Sequence, residues 1–119
     1  MDRVLTFSVL VAVMLLSACQ DKTPEATRQL QAVSQQLVPM NAELAARYQR
    51  SCRSCHTIAA TGAPLTGDVV AWAPRMERGM PAMIDSVING AGGMPPLGMC
   101  MDCSEEQFEA LIRFMAGGQ

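Results

Sequence analysis

Two thiols three positions apart, Cys52 and Cys55, are followed directly by a histidine in the run Cys52-Arg53-Ser54-Cys55-His56. Each sulfur can add to one vinyl group of a haem, and the adjacent imidazole can reach the iron. The spacing predicts covalent haem attachment. A Cys-X-X-Cys pair has two other uses, as a redox dithiol and as half of a zinc site that Cys100 and Cys103 would complete. A dithiol of the thioredoxin kind follows a strand in an alternating strand and helix pattern, which the neighbouring residues lack. The zinc reading stays open as a rival.

The five cysteines can all be accounted for: Cys52 and Cys55 for haem, Cys100 and Cys103 as a pair, and Cys19 near the N-terminus. His56 is the only histidine. A second haem of the same kind and ligation of the iron by two histidines are therefore excluded, and any sixth ligand must be of another type.

Three helices would position these groups. Asn41 can cap one that runs through Glu43, Leu44 and Tyr48 to Cys52, with Glu43 early and Arg47 and Arg50 late, as the helix dipole prefers. Pro81 opens a second, whose apolar stripe is Met83, Ile84, Val87 and Ile88 and whose stop is Asn89-Gly90. Ser104 with Gln107 forms a capping box for the third, where Phe108, Leu111, Ile112 and Met115 recur at helical spacing before Gly117-Gly118. The intervening segments are rich in Gly, Pro, Ala and Thr and contain no run of period two, so the domain reads as all-α. The first and last of these helices are expected to pack on each other and close one side of the haem pocket.

The N-terminal part reads differently. Val4 to Leu16 is apolar apart from Thr6 and Ser8, and it is short for a span of roughly twenty residues. A signal peptide over residues 1–18 fits it. Leu16-Ser17-Ala18-Cys19 resembles the bacterial lipobox, which implies an acylated Cys19 at the mature N-terminus. The alternative is an ordinary cleaved signal with an incidental cysteine. Residues 19–39, rich in Gln, Thr, Ser and charge, read as a polar tether, with Leu30, Val33 and Leu37 leaving room for a docked helix instead. Residues 40–119 are then one haem domain, too small for two cores. With few aromatic side chains of its own, it is expected to depend on haem for folding. The chain carries a slight net negative charge of −2 and a single lysine, Lys22, which gives no footprint for nucleic acid.

The pattern Gly62-Ala63-Pro64, Gly67-Asp68, Trp72-Ala73-Pro74-Arg75, Gly79, Asn89-Gly90, Met94-Pro95-Pro96 and Gly98-Met99-Cys100-Met101-Asp102-Cys103-Ser104 resembles the cytochrome c5 family over residues 40–116. Thr57 departs from the glycine commonly found in that family directly after the haem histidine. The resemblance implies a small class I cytochrome c fold of about three to four helices around one covalently bound haem c. It also implies a carbonyl of Pro64 accepting from His56, Trp72 and Arg75 meeting a haem propionate, and a disulfide between Cys100 and Cys103. A redox-active Cys100/Cys103 pair is the alternative to that structural disulfide.

Methionine is the remaining candidate for the sixth ligand. Met76, Met80 and Met83 precede or lie within the second helix, Met115 belongs to the stripe of the third, and Met101 sits inside the implied disulfide ring. Met94 and Met99 remain. Met94 follows Gly90-Ala91-Gly92-Gly93, where glycines permit close approach of the backbone, and it precedes the stiff Pro95-Pro96. The family's Met-Pro ligand motif falls on Met94, and His56 and Met94 are thus the expected iron ligands.

The function expected is a membrane-tethered, monohaem, monomeric electron carrier on the periplasmic side of the bacterial envelope. Its partners would be redox proteins of the respiratory chain, docked against a rim of Leu97, Met99 and Met101. Two alternatives belong to other classes. One is a haem enzyme or gas sensor with an open sixth position, and the other is a thiol-disulfide module using Cys100 and Cys103.

Overall fold

The computed structural model describes residues 22–118. The signal peptide expected over residues 1–18 and the lipid site expected at Cys19 lie outside the described residues. In chain order the helices are α1 (Pro24–Ser34), α2 (Ala42–Ser51), α3 (Arg53–His56), α4 (Val69–Met76), α5 (Met80–Asn89) and α6 (Glu105–Met115), with 3-10 turns at Ala59–Thr61 and Pro96–Met99. Among the described residues there is no strand, and an isolated bridge joins Ala91 to Met94.

The caps act as their chemistry predicts. Asn41 Oδ1 accepts from the Leu44 amide at 2.9 Å and starts α2. At α6 both halves of the capping box are made: Ser104 Oγ accepts from the Gln107 amide, and Gln107 Oε1 accepts from the Ser104 amide. Gly79, at φ 85°, turns the chain into α5.

The apolar stripe of α6 packs against α2 and α5. Tyr48, Trp72, Met83, Ile84, Leu111, Ile112 and Met115 form the buried core. Tyr48 is fully buried, meets Phe114 edge-on at 5.0 Å and shares a hydrogen bond with the Thr66 hydroxyl at 2.9 Å. The polar end of a large ring is thus satisfied inside the core, as burial demands. At the rim, Arg47 bridges Glu43 and Asp102, tying α2 to the loop that leads into α6.

Two elements differ from expectation. Asp68 caps a helix, α4, whose interior includes Pro74 and whose one buried residue is Trp72. Residues 24–34 are not a loose tether, because they form α1 and lie against the domain. Lys22 pairs with the largely buried Asp68, Gln31 Oε1 accepts from the Ala59 amide at 2.8 Å, and the Arg53 guanidinium donates to the Gln35 carbonyl at 2.8 Å. Polar groups of residues 22–35 that read as solvated are held by side-chain and backbone groups of the domain. Among the described residues there are six α-helices, one of them a single turn, in the all-α arrangement expected.

Candidate haem site

α2 runs almost without a break into α3, since Cys52 ends one helix and caps the next. This continuity brings Cys52, Cys55 and His56 to the wall of one cavity of about 380 Å³. Such a volume lies in the range of roughly 300–1,000 Å³ usual for ligand and cofactor pockets. Trp72, Met83, Phe108, Leu111 and Ile112 supply its apolar lining, and Met94, Pro95 and Leu97 close it from the other chain segment.

His56 is buried, and its Nδ1 lies 2.8 Å from the Pro64 carbonyl oxygen. A carbonyl only accepts, so Nδ1 carries the proton and Nε2 is the nitrogen left with a lone pair for a metal. Burial pushes the His56 pKa down and the nearby Arg75 charge adds to this, against the opposing hydrogen bond to Pro64. The ring is held neutral in the tautomer that ligation requires. Trp72 stacks on it, with ring centroids 5.6 Å apart and planes inclined by 28°.

Cys55 is exposed and Cys52 half-buried, and burial first and the neighbouring Cys55 second push the Cys52 pKa up to about 11. A redox dithiol needs a thiolate at neutral pH, and this environment opposes one. The zinc alternative also fails geometrically, because among the described residues no three or more His, Cys, Asp or Glu side chains come together as a metal site. The α-carbons of Cys100 and Cys103 stand 5.4 Å apart, within the span of a disulfide.

Met94 lines the cavity at the end of a tight turn in which the Ala91 and Met94 amides and carbonyls bond reciprocally at 3.1 and 3.0 Å. Gly90 stands at φ 82°, where an added Cβ would lie 2.8 Å from the Met94 carbonyl oxygen. Only glycine fits there, and the turn that presents Met94 depends on it. Met99 borders the same cavity but is 62% exposed.

The expected propionate partners fare differently. Arg75 lines the cavity from an exposed position, with one guanidinium nitrogen bonded to the Ala71 carbonyl. Trp72 lines it too, but its indole N–H donates to the Leu65 carbonyl at 2.9 Å. In this arrangement the donor is already used, and Trp72 contributes a ring rather than a free N–H. Arg78, which sequence reasoning passed over, borders the cavity as a second cation, and its spacing of three from Arg75 was a signal for it.

The donor set fits a haem: two cysteines beside a neutral, oriented imidazole, a thioether on another wall, apolar sides and guanidinium groups at an edge. Comparison with known proteins agrees. Residues 39–115 match the family described as cytochrome C oxidase, cbb3-type, subunit III. Cytochrome c5 of Ectopseudomonas mendocina is 36% identical over 70 residues, spanning 57% of this chain and 80% of that protein. Cytochrome c5 of Azotobacter vinelandii is 34% identical over 77 residues, spanning 63% of this chain and 89% of that protein.

The chain belongs to the cytochrome c5 family.

Cytochrome c-555 of Chlorobaculum tepidum is also similar, at 36% identity over 76 residues, covering 60% of this chain and 70% of that protein. Among solved structures, a chain from the crystal structure of the electron transfer complex of nitrite reductase with cytochrome c matches with a TM-score of 0.55 and 31% identity. The match covers 67% of this chain and 95% of that one. As a cytochrome c5 homologue, the chain is a monohaem c-type electron carrier and not an enzyme. Its cofactor is one covalently attached haem c, in a small all-α fold.

Proposed function

We propose that this cytochrome c5 homologue passes single electrons between redox proteins in the bacterial periplasm while anchored to a membrane by acylated Cys19. The observation that carries the site is the Nδ1–H of His56 held on the Pro64 carbonyl, facing a cavity that Cys52, Cys55 and Met94 share. Bound there, haem supplies a reversible one-electron iron couple. The chain does the rest. Cys52 and Cys55 fix the macrocycle by thioether bonds. His56 Nε2 and the Met94 sulfur would hold the iron, so that its ligand set need not change with its charge. The soft thioether favours the reduced state and raises the potential.

Arg75, with Arg78 beside it, offsets propionate charge through guanidinium hydrogen bonds. Trp72 keeps water from His56. The Cys100–Cys103 disulfide pins the loop after Met94 to the start of α6. Leu97 and the exposed Met99 and Met101 form the apolar rim against which a partner docks. The nitrite reductase complex of the structural relative is the precedent for such a partner, the donor and acceptor here being redox proteins of the respiratory chain.

No described helix is long and apolar enough to cross a membrane, so on this reading attachment rests on the lipid. The test is carbon monoxide added to the reduced mature protein without denaturant. No spectral change is expected, because Met94 saturates the iron, while Met94→Ala should bind the gas, lose the weak near-infrared sulfur-to-iron band when oxidised, and have a lower potential. Met99→Ala should do none of these. Binding of carbon monoxide by the unmodified protein would favour the gas-sensor or enzyme alternative, and a reversal of the two variants would move the ligand to Met99.

A further inference from the structure

α1 lies outside residues 39–115, the part that matches the family, yet it is directed at the segment that carries the iron-binding histidine. Ser34 is its one buried residue, at 0% exposure, and its hydroxyl donates to the His56 carbonyl at 3.0 Å. The same carbonyl accepts from the Thr66 amide at 2.7 Å, so both of its lone pairs are used. Around it, Gln31 Oε1 takes the Ala59 amide at 2.8 Å and Arg53 reaches the Gln35 carbonyl at 2.8 Å. These contacts bracket residues 53–59 from the side of α1.

The need for such a brace is physical. α3 adds a single turn of four residues to the end of α2, and the chain leaves the helix directly after His56. Thr57, where the family commonly has glycine, leaves the helical region at φ −124°. In α1 Leu30 is half-buried and Val33 is 57% exposed, and the one fully buried group is a hydroxyl.

We propose that α1 is a strap on the histidine side of the haem and that Ser34 is a positioning residue, holding the His56 backbone so that its ring keeps the hydrogen bond to Pro64. This rests on His56 being the iron ligand. The Nδ1–H bond to a carbonyl raises the basicity of a ligating imidazole and so favours oxidised iron. Loosening His56 should weaken that bond and raise the potential.

The experiment uses the full mature holoprotein with Ser34→Ala, and Gln29→Ala as the control on the exposed side of α1. Ser34→Ala should raise the reduction potential and displace the hyperfine-shifted proton resonances of the His56 ring, with haem content unchanged, while Gln29→Ala should move neither. Unmoved potential and resonances, with only a lower unfolding midpoint, would reduce α1 to a stabilising clip and overturn the proposal. Should Ser34→Ala not accumulate, Gln31→Met removes the acceptor of the Ala59 amide at similar size and is read the same way: both signals displaced sustains the strap, both unmoved overturns it. Failure of the underlying site is distinguishable, since an unmodified protein without haem absorption would show it before any variant is measured.

Discussion

Within the chain the Arg75 guanidinium donates to the Ala71 carbonyl, an interaction that leaves its charge available to a haem propionate. It is exposed, it borders the haem cavity, and its charge reaches His56. Charge pairs at such exposure are worth about 0.2–1 kcal/mol, equivalent to roughly 10–40 mV for one electron. Arg75→Gln should lower the potential by that amount, since less positive charge near the iron favours the oxidised form. Potentiometry at low and high salt checks it, with the shift shrinking as salt screens the charge. An unchanged potential would return Arg75 to a surface residue. Trp72 teaches the complementary lesson. The family resemblance implied a propionate donor, but its N–H found the Leu65 carbonyl, and a backbone acceptor leaves no trace in side-chain identity.

The helices that were legible are those whose signals are local. Asn41 and Ser104 bond within three residues of themselves, and the stripe of α6 repeats within one helix. α4 was not legible because Pro74 interrupts an eight-residue pattern that has one buried member. The docking of α1 was not legible because it is made by polar groups with partners up to 46 positions away, Lys22 on Asp68 and Ser34 on the His56 carbonyl. Two variants probe these elements. Ser104→Ala should cost about 0.5–2 kcal/mol by urea denaturation of the holoprotein and leave the haem spectrum unchanged, because the cap supports α6 and not the pocket. Gly90→Ala should do more. It forces a Cβ into a left-handed position 2.8 Å from the Met94 carbonyl oxygen, so it should destabilise the fold by about 1 kcal/mol or more and weaken the near-infrared sulfur-to-iron band as the Met94 turn shifts. A full-strength band in Gly90→Ala would separate the turn from ligation.

For the whole molecule, the docked α1 changes what a lipid at Cys19 would do. A tether of twenty residues would let the domain roam about 25 Å from its anchor. With Pro24 already in a helix on the domain, the five steps from Cys19 span at most about 18 Å. An acylated protein would ride close to its membrane. Cys19→Ser should release it from the membrane fraction with its haem spectrum intact, since the strap begins beyond the lipid, and unaltered fractionation would count against lipidation. At this scale the haem domain was legible from its motifs, and residues 39–115 match the family, whereas the reach of the linker depended on long-range hydrogen bonds.

The most direct test of a single-electron carrier is spectroelectrochemical titration of the purified mature protein, with its intact mass determined on the same sample. One haem mass and a single reversible one-electron wave, identical in the presence and absence of carbon monoxide, are expected from one haem held by Cys52, Cys55, His56 and Met94. Absence of haem mass, more than one wave, or a wave displaced by carbon monoxide would contradict it.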